Sequence, residues 1–294
     1  MLTRYAQATR AGQEWIRALC AATGAPIETA DGVSYATTAD GRASLATEAQ
    51  AMAAAGVNAE LGETANLPLT TTGSLRVPDQ YQIDPQAYLD ALVAEAVAAG
   101  ARVHVGMRVD KVSTGSPREV TCSSAEGHAR VRAEHVVIAT GTPVLDRGGF
   151  FARLEPQRSY CIAVRVPGQR PEGMYLSVDS PTRSVRRAGQ DLLVIGGNGH
   201  VVGRAQDNAA RLADLERWAA QTFGATVTTH RWAAQDYRTP GVLPFVGRLE
   251  PWSHDLWVAT GFAKWGTTTG TAAGLSLAGQ ILGRPTPWTT DWDP

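Results

Sequence analysis

The sequence predicts an α/β fold in which a parallel sheet flanked by helices is entered, left for an antiparallel β insert, and entered again. Three observations predict it. The nearly all-apolar run Val136–Ala139 meets Thr140-Gly141, as a strand covered on both faces does. Between Arg158 and Ile195 the texture changes to SYCIAVRV, GMYLSV, SVRRA and DLLVIGG, short strands parted by Gly/Pro turns, which reads as an antiparallel sheet. Near the C-terminus, LWVATG runs into a short turn and then the Thr/Gly-rich helix start TTTGTAAGLSLAGQILG. One domain is therefore expected from 1–30, 79–145 and 236–294, and a second from 31–78 and 146–235.

The elements follow in order. Leu2 to Ala22 predicts a helix, with Tyr5, Trp15, Ile16, Leu19 and Cys20 mainly on one stripe and Gly24 with Pro26 ending it. A strand pair is expected around Ile27–Thr38, with Asp31-Gly32 as its turn, and an Ala-rich helix over Ser44–Ala55, stopped by Gly56. Asp84 is an N-cap and Pro85 a first helical residue, opening a helix that runs to Ala99 and closes at Gly100. Strands are expected at Arg102–Val105 and Arg108–Val112, and a hairpin across Val120–Val131. A helix over Gln206–Phe223 packs on the antiparallel sheet.

Bulk properties remove several classes of function. The chain has 294 residues, enough for one large or two ordinary domains, and 44% are hydrophobic against 19% charged. A net charge of −1 leaves no electrostatic footprint for nucleic acid or an acidic membrane. No apolar run approaches the roughly 20 residues needed to cross a bilayer. The start, MLTRYAQATRAGQEW, has no signal-peptide core, so the cytoplasm is the expected location. Cys20, Cys122 and Cys161 lack metal-ligand spacing and are expected as buried small hydrophobes; no metal is expected.

Among candidate sites, the turn from Gly261 through Phe262, Lys264 and Trp265 to Gly266, Thr267 and Thr268 carries the most chemistry. A helix N-terminus offers unpaired N–H groups and about half a positive charge. Lys264 adds a cation, and the carboxyl edge of an α/β sheet is where ligands bind. An ordinary capped helix with a solvent lysine fits the same pattern equally well. Ala139, Thr140 and Gly141 end a strand at the same edge, or are only a strand end. Gly197, Gly199 and Gly203 form G-x-G-x-x-x-G but sit in antiparallel texture, with no acidic residue ending the next strand, so a turn is the better reading. Most tryptophans, including Trp232 and Trp252, are expected to pack; Trp265 stands apart in its turn. Arg158 and Tyr160 open the β insert, and Asp236, Tyr237 and Leu243–Gly247 approach the ligand edge.

In sequence order, YQIDPQAY, RVDKV, VVIATG, FFARLEPQRSY, DLLVIGG, PFVG and VATGFAKWGTTTGTAAGLSLAGQILG resemble the D-amino-acid oxidase-like FAD-dependent oxidoreductases, closest to the gamma-glutamylputrescine oxidoreductase-like branch. The resemblance spans essentially the whole chain. It implies a sheet of the FAD/NAD(P)-binding type, FAD as cofactor, and hydride removal from a C–H beside an amine nitrogen to give an imine. It further implies that Thr267, Thr268 and neighbouring amides, with Gly261, Phe262, Trp265 and Gly266, face the pyrimidine end of the flavin, where Lys264 supplies a catalytic cation. Val109 would meet the adenine, and Ala139, Thr140 and Gly141 the diphosphate. Arg158, Tyr160 and Trp265 would border the substrate, a small amine or amino acid.

The family opens with a strand, a G-x-G-x-x-G turn and a helix, a unit of roughly 30 residues. Leu2–Gly24 reads as one helix in its place. The expectation is an incomplete dinucleotide-binding sheet that binds FAD weakly by itself, the alternatives being an inactive remnant or a chain completed by a partner that supplies the βαβ unit.

Overall fold

The computed structural model describes residues 1–145, 147–168, 170–204 and 207–294. Helix α1 (Leu2–Thr23) buries Ala8, Gly12, Ile16, Leu19 and Cys20, three or four residues apart on one stripe, and ends on Gly24 in the left-handed region. Strands β1 (Ile27–Thr29) and β2 (Gly32–Ala36) exist but are not the expected hairpin, because they join different sheets. Asp31 between them instead accepts from Arg76 Nε at 2.6 Å. Helix α2 (Ala39–Ala54) starts earlier than expected because Thr38 caps it, its Oγ1 accepting from Gly41 N–H at 3.0 Å.

Strands β3 (Glu60–Gly62), β4 (Gly73–Val77) and β5 (Tyr81–Ile83) precede α3 (Pro85–Ala98), capped as expected by Asp84, which accepts from Gln86 and Ala87 N–H at 2.9 and 3.1 Å. Arg102–Val105 forms no strand, and Val103 and Val105 are exposed; no described strand lies alongside to pair with it. Strands β6 (Arg108–Val112), β7 (Arg118–Ser124) and β8 (Gly127–Ala133) then make a small antiparallel sheet, with β7 and β8 as the expected hairpin.

Strand β9 (Val136–Ile138) leads to a short helix, α4 (Phe150–Arg153), and to β10 (Glu155–Arg165), β11 (Met174–Ser177), β12 (Arg183–Ala188) and β13 (Leu192–Val201). Helix α5 spans Asn208–Phe223, capped by Asp207; Gln206, where its start was expected, lies outside the described residues. The chain closes with β14 (Val227–Arg238), β15 (Phe245–Arg248), β16 (Leu256–Thr260), α6 (Gly266–Ile281) and α7 (Thr289–Trp292).

Two sheets matter for the site. The larger has eight strands in the order β14-β10-β13-β12-β11-β2-β4-β3, and its β10–β14 part is the antiparallel insert expected from sequence. Tyr160, Ile162, Val164, Leu193 and Ile195 on one face of it pack on Leu215 and Ala219 of α5. Buried Arg183 ties that helix down, bonding Asn198 Oδ1 and Asp214 Oδ2 at 2.6 Å each. The smaller sheet, β15-β16-β9, pairs β9 parallel to β16, with Val136, Val137 and Ile138 opposite Leu256, Trp257 and Val258. Strand β16 is buried throughout, but β9 is an edge strand: Ile138 is buried and Val137 is 43% exposed. Coverage of both faces, expected from the apolar run, is met by β16 and not by β9. Of the tryptophans expected to pack, Trp257 does, whereas Trp232 and Trp252 are exposed. Among the described residues, no helix is long and apolar enough to cross a membrane.

Two contacts hold the smaller sheet in place. Helix α1 crosses α6 where Gly12 lies directly over the Thr268 carbonyl, so that any Cβ at 12 would collide with backbone. Arg118 of β7, buried, donates to Asp255 Oδ1 at 2.6 Å and to Ser253 Oγ at 3.0 Å just before β16. The Arg118 hydrogen bond holds the Asp255 carboxyl below its usual range, outweighing a smaller opposing effect of burial.

Two outcomes follow. Gly12→Val forces the helices apart and costs roughly 1–3 kcal/mol, read as a lower denaturant midpoint at unchanged slope. Asp255→Asn strands the Arg118 charge and costs about 3 kcal/mol. Because the Asp255 carboxyl is lowered by folding, its contribution is full above the unfolded value of about 3.9 and is lost as pH falls through the folded value. The difference in stability between wild type and Asp255→Asn therefore narrows below about pH 4, as urea titrations over an acid series measure.

Candidate active site

The parallel pairing of β9 and β16 brings two strand ends to one rim. Gly141, just past β9, and Gly261, just past β16, both have positive φ, 77° and 79°. Thr260 Oγ1 donates to the Gly141 carbonyl and joins the two ends. Gly261 is required for a second reason: a Cβ there would sit 2.5 Å from Thr239 Cγ2. The chain then turns through Ala263 and Lys264, two consecutive non-glycine residues at positive φ, 48° and 75°. This conformation costs energy and is kept where the surroundings fix it. Ala263 N–H donates to Tyr237 O at 3.0 Å, which ties the turn to β14.

Helix α6 starts at this rim with its dipole pointing outward. No side chain caps its N-terminus. The Thr269 hydroxyl donates back to Trp265 O and that of Thr271 to Thr267 O, so neither is spent on a first-turn amide. Lys264, Trp265, Gly266 and Thr267 are exposed, Phe262 is half-buried against the core beneath, and Thr268 is partly covered by α1. Ala139, Thr140 and Gly141 are exposed along the same rim, and Tyr237 Cε2 lies 3.6 Å from where a Gly141 Cβ would be. Val109 is on β6, packed beside Val112 and Val120.

The Lys264 side chain reaches across to the large sheet. A Cβ on Gly199 would lie 3.0 Å from Lys264 Nζ and 3.4 Å from Ser159 Oγ, so the missing side chain makes the room that the ammonium uses. Gly199 belongs to a bulge: on β13, Asn198 and Gly199 together oppose Ser159. Gly197 and Asn198 look toward α5, whereas Gly199 looks the other way. The Gly-rich run is thus a bulged antiparallel strand, and Gly203, φ 85°, is a turn residue.

The expected substrate residues divide. Tyr160 is only 1% exposed, in the core against α5, with its hydroxyl bonded to His200 Nε2 and Asn208 Oδ1. It therefore stands on the face opposite Lys264, which corrects its expected place. Arg158 shares that strand face with Tyr160 by alternation, and its Nε is buried without a partner. Trp265 is beside Lys264, 57% exposed. Sequence reading passed over Ser159 and left Asp236 as a mere approach residue. Both lie on the Lys264 side, and both have a buried oxygen with no hydrogen-bond partner, Ser159 Oγ and Asp236 Oδ2. Their signal is three-dimensional, since it needs the register of β10 on β14.

Comparison with known proteins fixes the family. Residues 2–280 match DAO, FAD dependent oxidoreductase.

The chain belongs to this family. It is 29% identical over 252 residues, 84% of its length, to the putative Rieske 2Fe-2S iron-sulfur protein YhfW of Bacillus subtilis, and covers 49% of that protein. It is 26% identical over 238 residues to a D-amino acid dehydrogenase of Rhizorhabdus wittichii, covering 79% of this chain and 56% of that one. The chain thus spans about half the length of these curated relatives. Its fold superposes on glycine oxidase from Geobacillus kaustophilus with a TM-score of 0.81 at 20% identity, over 97% of this chain and 80% of that one. L-proline dehydrogenase from P. horikoshii gives 0.80 at 16% identity, over 98% and 81%. The expectation of FAD as cofactor is met by the family, and the reading as an inactive remnant gains no support from so complete a superposition.

The residues present fit the flavin end of that cofactor: uncapped amides at the start of α6, exposed at the rim, with a lysine beside them. Gly199→Val tests the room beside Lys264. Its backbone is outside the left-handed region and the strand accepts valine, but the new methyls displace the ammonium. The expected result is a folded protein, by circular dichroism, whose affinity for FAD falls at least tenfold.

Proposed function

We propose that this chain oxidises a C–N bond of a small amine or amino acid to the imine, as a cytoplasmic member of the gamma-glutamylputrescine oxidoreductase-like branch. One observation carries the reading: the uncapped start of α6 and Lys264 converge at the rim shared by Gly141 and Gly261, facing the side of the large sheet that α5 does not cover. When bound, FAD supplies the two-electron acceptor for the hydride. Amides of Gly266, Thr267 and Thr268 would hold its electron-rich end, and Lys264 would oppose negative charge developing there. Ala139, Thr140 and Gly141 would border the diphosphate, and Val109 the adenine. Trp265 would shield the substrate from water. The segments 31–78 and 146–235 would form the substrate domain, packed on a cofactor domain made of the rest.

A βαβ unit from a partner chain belongs to the same proposal. The outer edge of β9 has no partner among the described strands, and Val137 beside it is exposed. Leu89, Val93 and Val97, four residues apart on α3, are exposed as well. A parallel strand added to β9 would cover the first, and an apolar helix face would cover the second.

The test is purification followed by FAD titration. Bound flavin shows as a shifted visible spectrum that bleaches anaerobically on adding the correct amine, and Lys264→Met lowers the bleaching rate about 100-fold. Protein that binds no FAD, alone or with an added βαβ polypeptide, would exclude the reading. Stoichiometric FAD on a monomer would exclude the partner and leave the chemistry standing.

A further inference from the structure

Asp236 stands near the end of β14, opposite Gln157 of β10, and the same register puts Ser159 opposite Ala234. Alternation along both strands gives Asp236 and Ser159 one face, the face where Gly199 makes room for Lys264 Nζ. Buried oxygens in folded proteins are almost always bonded. Here two of them, Asp236 Oδ2 and Ser159 Oγ, lack partners within one patch of sheet beside a catalytic-type cation. On the α5 face Asn198, both terminal nitrogens of Arg183 and the Tyr160 hydroxyl are bonded, and the buried atoms left without partners there are donors, the Nε groups of Arg158 and Arg183. The Lys264 face differs in kind: its unpartnered atoms are oxygens, which suit a donor from outside the chain.

We propose that Asp236 is the group that receives the proton of the substrate nitrogen, and that the substrate is a primary or secondary amine held by a remaining N–H. This rests on the amine-oxidising reading above and deepens it. In the step, the N–H bond of the substrate ammonium breaks and an O–H bond forms on Asp236. The electron pair stays on nitrogen as the lone pair that hydride loss from the adjacent carbon requires.

Two features bear on transfer against a lasting ion pair. Lys264 shares the patch, and its charge disfavours an ammonium more than a neutral amine, while it also favours the ionised form of Asp236. Burial pushes the Asp236 carboxyl above its ordinary value, against the opposing pull of Lys264, of hydrogen bonds to the backbone amides of Asp236 and Lys264, and, most weakly, of Arg238. Arg186 and Cys161 belong to the same region; burial pushes the Cys161 thiol up as well, which keeps it out of proton transfer near neutral pH. Ser159 Oγ is free to accept or donate at the same nitrogen.

Calorimetric titration of the full chain, with and without FAD, tests this with sarcosine, D-alanine and 1,4-diaminobutane. Each is run in two buffers of different ionisation enthalpy, which counts the protons exchanged on binding. Wild type is expected to bind at least one of them with no net proton release, because the proton moves to Asp236. Asp236→Asn is expected to release one proton per amine bound or to lose at least tenfold in affinity, with Asp236→Glu restoring much of the wild-type behaviour. A melting temperature for Asp236→Asn no lower than wild type at neutral pH separates this from a folding defect. An asparagine variant with wild-type affinity and proton count overturns the proposal, as does failure of all three ligands to bind wild type. An Asp236-dependent proton count in protein that never takes up FAD keeps the acceptor and overturns the oxidoreductase reading instead.

Discussion

The parallel register of β9 on β16 is the constraint on which the rest depends. Parallel strands send both chains out at the same end, so Gly141 and Gly261 emerge side by side. The Thr260 hydroxyl on the Gly141 carbonyl locks that arrangement. The elements of the candidate site are placed by it: the exposed rim of Ala139–Gly141, the strained turn at Ala263 and Lys264, and the first amides of α6. Had β9 run antiparallel, Gly141 would lie at the far end of the sheet from Lys264.

The second constraint is the bulge on β13. A regular strand would turn Gly199 toward α5 along with Gly197. One extra residue opposite Ser159 turns it the other way and opens space for the lysine. A large antiparallel sheet thereby has two unlike faces. One is an apolar core against α5; the other holds small residues, two unbonded oxygens and a cation. A ligand between that face and the smaller sheet would meet α6 amides from one side and the carboxylate from the other.

Much of the fold was legible in sequence because its signals are local. Asp84-Pro85 at the start of α3, Gly24 after α1 and the short strands of the insert each act within a few residues of themselves. What escaped was set by distant partners. β1 and β2 looked like a hairpin, but their hydrogen bonds go to β5 and to β4 and β11. The apolar run of β9 looked doubly covered, yet coverage depends on neighbours that no local pattern encodes. Arg158 and Tyr160 were legible as strand residues next to the site, but the face of a strand is decided by what packs on it. Lys264 stands out in sequence because turn and helix start are contiguous; Asp236 reads only as approaching the same edge, because its position beside Lys264 depends on the register of β14 on β10.

The backbone contact of Gly12 with Thr268 has a mechanical meaning. At that point no side chain of α1 stands between the two helices to absorb a displacement. A shift of the opening turn of α6 would therefore be passed directly to the backbone of α1 at Gly12. The first helix, far from the rim in sequence order, is thereby part of what fixes where the α6 amides stand.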